Sequence, residues 1–155
     1  MSCGKTEIVR AGGDRLVVVP DPTQPIAVVS GGQRGPAGAP GGAEFSRKAA
    51  QALGGHRVVR ALANDEVDYA SSDEIAHAAL IVGVTMGAAS AGAAILVRGG
   101  GELQDDSWSW SLGAVFCGLN GVLTQTPPAS GFIRQIGIAD APDRIIIDLR
   151  PPIML

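Results

Sequence analysis

The chain has 155 residues, of which 22 are Gly and 10 are Pro, and its formal net charge is −3. Hydrophobic residues make up 46% of the chain, whereas aromatic residues make up 4% and charged residues 17%. This balance excludes the strongly basic surface of a nucleic-acid-binding protein, and without an apolar run of about 18 residues the chain is not expected to enter a membrane.

Residues 1–31 are predicted to form a β-rich attachment arm. Two short strands and a third candidate are separated by turns that are rich in glycine and proline. Their apolar residues are Ile8, Val9, Leu16, Val17, Val18, Val19, Ile26, Val28 and Val29. So short a segment has too little apolar bulk for a core of its own. We therefore expect its strands to pair with another chain.

Residues 32–43 carry a collagen-like repeat. Glycine recurs at every third position and proline occupies an X and a Y slot, at Gly32, Gly35, Pro36, Gly38, Pro40 and Gly41. Three chains could wind together here because only glycine fits at the shared axis, and the alternative is a flexible tether. Ordering a residue costs roughly 1–2 kcal/mol, so this short stalk would wind only if the flanking parts already held three chains together.

Residues 44–55 are predicted to form a connector helix. Phe45, Ala49, Ala52 and Leu53 share one helical face, and Gly54 would end the helix. Three copies could bundle beside the collagen-like segment, and the alternative is a structured connector.

Residues 56–155 have an all-β pattern that repeats in two related halves. Eight strands are predicted, at 57–62, 67–70, 80–84, 94–97, 114–117, 122–125, 133–138 and 144–149. Tight hairpins are expected at Asn64-Asp65 and Asn120-Gly121, because these residues accept positive φ. The sequence therefore predicts a mainly β fold, a small barrel or sandwich with an internal duplication. The apolar end, 151–155, should pack within the subunit or across an interface.

No catalytic or metal-binding motif stands out. His56 and His77 are far from each other in sequence, and neither adjoins a cysteine. The acidic run 65–74 suits a solvated strand face better than a cation site, because it has no internal glycine for a sharp turn. We expect a protein that is not an enzyme and has no cofactor, with Cys3 and Cys117 as free thiols.

Both tryptophans lie in the segment 107–111, which alternates serine with tryptophan. In a strand, Trp108 and Trp110 would point to the same face. One interpretation is a ligand platform, for example for a carbohydrate. The other is a barrel plug or a subunit interface, which we favour because a chain with few aromatic residues would use them as packing anchors.

The arm followed by Gly-Pro-Ala triplets resembles small collagen-like virion proteins of tailed bacteriophages. In the C-terminal part, about 56–155, six segments carry a further resemblance, namely Ile81–Val84, Ala88–Gly92, Trp108–Trp110, Asn120–Pro128, Gly131–Phe132 and Ile136–Ala139. With these segments the part resembles a domain of phage structural proteins and is similar to capsid-cement proteins, which are small β domains and often trimers.

The resemblance implies a homotrimeric structural protein of the virion, made in the cytoplasm of the host bacterium. Its arm would bind the major capsid protein or another virion protein. Because the collagen-like part is short, a compact knob on a short stalk is expected. Capsid decoration, or a head fibre, is the favoured role. The alternative is a short tail fibre that contacts the host surface, where a glycan could be bound.

Overall fold

The structure, a computed structural model, describes residues 43–155 together with two short strands near the N-terminus. The chain divides into two compact units, Met1–Ala39 and Pro40–Leu155. In the first unit, β1 (Glu7–Ala11) pairs antiparallel with β2 (Arg15–Val19). Both strands were predicted. The third candidate strand, 26–30, and the collagen-like segment lie outside the described residues.

The second unit is built from strands and turns, and its described residues contain no α-helix. Two 3-10 turns, Ile75–His77 and Leu119–Gly121, interrupt the strands. The strands are β3 (Glu44–Ala49), β4 (Val58–Ala61), β5 (Glu66–Tyr69), β6 (Ile81–Thr85), β7 (Ala94–Arg98), β8 (Gly100–Gln104), β9 (Gly113–Cys117), β10 (Leu123–Thr124), β11 (Phe132–Ile133), β12 (Gln135–Ala141), β13 (Arg144–Asp148) and β14 (Ile153–Met154). The mainly β class is therefore confirmed, and a strand lies at each of the eight predicted positions.

Two five-stranded sheets form the body of this unit. The first is a closed barrel, in the order β3-β5-β4-β6-β7, and the second is an open sheet, in the order β10-β9-β12-β13-β8. The barrel closes through a parallel pairing of β3 with β5, in which Lys48 lies opposite Glu66. A separate two-stranded sheet joins β11 to the C-terminal β14.

The two sheets share one pairing scheme. When the closed barrel is read from β5 through β4, β6 and β7 to β3, each strand corresponds to the strand at the same place in the open sheet, β10-β9-β12-β13-β8. Both orders begin with an antiparallel hairpin, β4–β5 in the barrel and β9–β10 in the open sheet. The register also shifts at matching points. In the barrel, the shift follows the pair formed by Val59 and Gly83. In the open sheet, the shift lies next to the pair formed by Val115 and Gly137. The strands predicted for the first half of the repeat lie in the barrel, and those predicted for the second half include the strands β9, β10, β12 and β13 of the open sheet. Each sheet also contains a fifth strand that was not predicted, β3 in the barrel and β8 in the open sheet.

Three buried clusters hold the unit together. One fills the barrel and contains Val59, Val67 and Val97. A second draws on both sheets, since it joins Val58 and Val84 of the barrel to side chains of the open sheet, namely Leu103, Cys117, Ile136 and Ile147. The two sheets are thus parts of one packed body, because each contributes to the same core.

The connector helix predicted for 44–55 is wrong. The segment forms β3, which pairs with β7 over five residues, from Glu44 opposite Arg98 to Lys48 opposite Ala94. Its burial alternates with the two-residue period of a strand. Pairing on both edges outweighs a local helix preference that is weak over three turns. The β body consequently begins at or before β3, and not at residue 56 as the sequence predicted.

The C-terminal residues form an extended strand, β14, whose apolar side chains remain exposed. Ile153, Met154 and Leu155 are 62%, 51% and 56% accessible. Successive side chains of a strand point to opposite faces, so neither face of β14 is covered by the described residues of its own chain.

Candidate functional site

The tryptophan loop, which we define as residues 105–112, follows β8 and is not a strand. The segment 107–111, which as a strand would have placed both indoles on one face, therefore forms a loop instead. The loop is held at its edges by the backbone: the amide of Asp105 donates to the carbonyl of Asp143 (2.9 Å), and the amide of Trp110 donates to the carbonyl of Pro142 (2.7 Å). These bonds tie the loop to the β12–β13 turn. Although serine and tryptophan alternate along the segment, it therefore does not pair with a neighbouring strand.

Trp108 and Trp110 turn inward instead of forming a flat platform. Their rings meet edge to face, with centroids 5.7 Å apart. Both pack against Val115, Ala139 and Ile145 of the open sheet, and Trp108 also packs against the core that the two sheets share. The open sheet lacks the strand pairing that closes the barrel, and the indoles lie over its buried face.

The loop is also braced by Asp105. One carboxylate oxygen accepts hydrogen bonds from the amide (2.7 Å) and hydroxyl (2.5 Å) of Ser107, and the other lies 3.0 Å from Nδ1 of His56. The bonds from Ser107 lower the pKa of Asp105, with a smaller contribution from His56. The ring of His56 in turn meets that of Trp108 edge to face, with centroids 4.9 Å apart. His56 thus has a structural partner on each side.

A polar pocket of about 230 Å3 lies between the β4–β5 hairpin and the 3-10 turn at Leu119–Gly121. Its lining residues are Gln51, Arg60, Asp68, Tyr69, Ser71, Asp73, Glu74, His77 and Asn120. The pocket takes in part of the acidic run 65–74, which the sequence analysis assigned to a solvated strand face. Only Asp68 of these lining acids lies on a strand, whereas Asp73 and Glu74 lie in the following turn.

Hydrogen bonds in this pocket rule out a serine–histidine pair at Ser71. The hydroxyl of Ser71 bonds the carboxylate of Asp73 and accepts from the amide of Asn120 (3.1 Å), whereas Nδ1 of His77 accepts from the backbone amide of Ser71 (3.1 Å). Burial lowers the pKa of His77, and Arg60 lowers it further. The imidazole is accordingly neutral near pH 7, with its proton on Nε2, and it does not contact the hydroxyl as a base would.

An apolar groove of about 450 Å3 lies beside the polar pocket, and Asp73 lines both. Its apolar walls are formed by Leu119, Val122, Pro127 and Pro128. Leu119 and Val122 are 55% and 43% accessible. The chain continues from the groove into β11, which pairs with the exposed β14.

Cys117 is fully buried, and desolvation raises the pKa of its thiol to about 12. It is a free thiol that packs in the shared core, while Cys3 lies outside the described residues. In the described part of the chain, no three His, Cys, Asp or Glu side chains stand close enough together to hold a metal ion.

The structure places the remaining candidate residues as follows. Ile8 and Val9 lie in β1, and Leu16–Val19 lie in β2. The arm residues Ile26, Val28 and Val29 and the collagen-like positions, Gly32 to Gly41, fall outside the described residues. The predictions made for these positions are therefore still predictions. Sequence reasoning missed the polar pocket, because its residues come from four separate segments.

No protein-family model matches the chain, and no curated protein matches it. Among the residues that the structure describes, no helix has the length and apolar character needed to cross a membrane.

Proposed function

We propose that this chain is a non-enzymatic structural protein of a bacteriophage particle. It would bind the capsid surface as a trimer, as a decoration (cement) or head-fibre protein that stabilises or decorates the shell. The arm would add its strands to a sheet edge of the major capsid protein or of another virion protein. The collagen-like segment would space this anchor from the β body.

The observation that carries the proposal is the exposed apolar end of the chain. Three consecutive apolar residues, 153–155, are each more than half accessible, and the segment that lines the apolar groove up to Ser130 leads into β11, the strand that pairs with β14. Contiguous exposed apolar surface of this kind marks contacts with other chains. A homotrimer held through these surfaces would also bring three collagen-like segments together, which is the condition under which so few triplets could wind.

The trimer is tested by multi-angle light scattering on the purified full chain. We expect three times the monomer mass at micromolar concentration. Replacing Ile153 and Leu155 with serine should shift the mass towards the monomer, and replacing Asp106 and Ser109, which are exposed on the tryptophan loop, with alanine serves as the control. A stable monomer of the unmodified chain would contradict the trimer.

The role on the particle is tested by electron cryo-microscopy of the intact phage. We expect density for this chain on the capsid in a copy number that follows shell symmetry. Density only at the tail would favour the second candidate, a short tail fibre that binds the host surface. The observation that supports this second candidate is the polar pocket, rather than Trp108 and Trp110, whose rings pack inward.

A further inference from the structure

The polar pocket between β4–β5 and the turn at Leu119–Gly121 has the chemistry of a small-ligand site. We propose that it binds one neutral pyranose unit of a carbohydrate. This inference rests on the second candidate function for its biological meaning, host-surface recognition. It goes beyond that function by assigning the site and the ligand class, and it is tested on the purified protein alone.

The pocket is lined by flat polar groups that can bind neighbouring hydroxyls in pairs. It offers carboxamides, carboxylates, a guanidinium group and a neutral imidazole, beside the ring of Tyr69. Carboxylates accept hydrogen bonds, the guanidinium group donates them, and carboxamides do both. A pyranose presents this mixture of donors and acceptors on adjacent carbons, and its C–H face suits an aromatic ring. The lining is thus complementary to a sugar.

Several of these groups are held in place before any ligand arrives. Asp68 accepts a hydrogen bond from Nε2 of Gln51 (2.6 Å) and lies 3.6 Å from the guanidinium group of Arg60. The backbone N–H of Asn120 donates to the hydroxyl of Ser71 (3.1 Å), which fixes the backbone of this residue, and Asn120 adopts a positive φ of 50°. Groups that are ordered in advance lose less conformational entropy when a ligand binds.

Other groups keep hydrogen-bonding capacity for a ligand. Within the described residues, the side chains of Glu74 and Asn120 have no hydrogen-bond partner, and both are exposed at the rim of the pocket. The carboxylate of Glu74 can accept a hydrogen bond from a ligand hydroxyl, and the carboxamide of Asn120 can both donate and accept.

Charge and size narrow the ligand class. Three carboxylates line the pocket against one guanidinium group, so an anionic ligand such as a phosphate or a uronic acid would be repelled. The acids are not grouped closely enough for a metal site in the described residues. The volume of about 230 Å3 lies below the roughly 300–1,000 Å3 of sites for drug-sized ligands. One neutral monosaccharide unit fits these limits.

The test is a titration of the isotope-labelled full chain with methyl α-glucoside, methyl α-galactoside and methyl α-mannoside, followed by amide chemical shifts. We expect at least one of them to give saturable shifts at pocket residues, with a dissociation constant on the order of 1–10 mM for a ligand of this size. Glucuronate, the anionic probe, should bind at least about tenfold more weakly.

Two variants test the assigned contacts. Glu74→Gln and Asn120→Gly should each weaken binding about tenfold, which is the loss expected for one hydrogen bond to a charged or preorganised group. Both residues are exposed, and glycine keeps the positive φ at position 120, so the fold should be retained. Glu102→Gln, on the open sheet, is the matched control and should bind like the unmodified chain.

Three results would overturn the proposal. These are the absence of saturable shifts with all three neutral glycosides, shifts that lie outside the pocket, or affinities that neither pocket variant changes. Tighter binding of glucuronate would overturn the charge argument and with it the ligand class. None of these results depends on where the protein sits on the particle, so the capsid proposal would stand or fall separately.

Discussion

The side chain of Trp108 packs against two of the three described core clusters. It packs against the cluster shared by both sheets and against the cluster of the open sheet, whereas Trp110 packs only against the latter. Trp108→Ala should lower the unfolding free energy by about 3 kcal/mol, because truncating a packed tryptophan removes apolar burial and leaves a cavity. Trp110→Ala should cost less. Urea unfolding followed by circular dichroism measures both.

A different outcome would revive the ligand-platform interpretation of these tryptophans. If Trp108→Ala kept its stability and instead lost binding to host cells or glycans, the indole would be a contact residue. The geometry favours packing, since Trp110 directs its Nε1 into a buried position where it has no partner among the described residues.

His77 gives the protein a pH dependence near neutrality. Its pKa is lowered in the folded state, first by burial and then by Arg60, whereas the unfolded chain has a value of about 6.5. Below that value the unfolded state binds more protons than the folded state, so the unfolding free energy falls as the pH drops through this range. Unfolding at pH 7.5 and 5.5 should show this loss, and His77→Gln should reduce it.

Proton NMR of the imidazole gives the direct check on His77. A titration midpoint at or above 6.5 in the folded protein would contradict the prediction.

The carboxylates of Asp105 and Asp140 affect the unfolding free energy in a separate and more acidic pH range. Hydrogen bonds from Ser107 lower the pKa of Asp105, and those from Arg144 lower the pKa of Asp140. Their stabilising contributions are present above the ordinary carboxyl pKa and are lost only as the pH falls below it.

At the scale of elements, Gly83 and Gly137 occupy matching places in β6 and β12. A Cβ built on either glycine would lie 2.3 Å from a carbonyl oxygen of the next strand, that of Arg98 or that of Ile146. The neighbouring strand in each case could move away from the added Cβ only by breaking its backbone pairing with the glycine's own strand. Gly83→Ala and Gly137→Ala should therefore each lower the unfolding free energy by about 3 kcal/mol, as overpacked cores do.

Gly87→Ala is the control for this pair, because a Cβ there would meet nothing within 4 Å. Its effect on thermal or urea unfolding should stay within about 0.5 kcal/mol. If only one of the two strand glycines were sensitive, the structural match between the barrel and the open sheet would not extend to this close approach.

The sequence predicts elements well where local chemistry and pairing agree. Asn64 and Asp65 have positive φ at the β4–β5 hairpin, and Asn120 has it at the turn before β10, as their residue types predict. β3 shows the opposite case. Its alanines and its lysine favour a helix locally, but pairing with β7 and β5 closes the barrel. Such pairing depends on residues far away in the chain, which no local period reveals.

At the scale of the whole molecule, sites assembled from distant segments escape sequence reasoning. Gln51 and Asn120 line one pocket although sixty-nine positions separate them in the chain. Neither residue belongs to a motif, so only the packing of both sheets reveals their common site. Conversely, the collagen-like period is plain in the sequence because triple-helix formation requires glycine at fixed positions.

Deleting residues 1–31 separates anchoring from folding. The three buried clusters all lie between Ala49 and Ile147, so the shortened chain retains every described core contact. We expect it to fold, to remain a trimer through the exposed residues of the β body, and to lose binding to phage particles that lack the protein. Circular dichroism, light scattering and co-sedimentation with such particles measure these three properties in turn.

The control for this deletion replaces four apolar arm residues, Val17, Val19, Val28 and Val29, with serine in the full chain. If the arm adds strands to a partner's sheet, these side chains supply much of its contact, and their loss should weaken co-sedimentation while the trimer persists. Retained binding by the shortened chain would place the particle contact on the β body instead. A monomeric shortened chain would show that trimerisation needs the arm, and the collagen-like segment would then depend on the arm for its register.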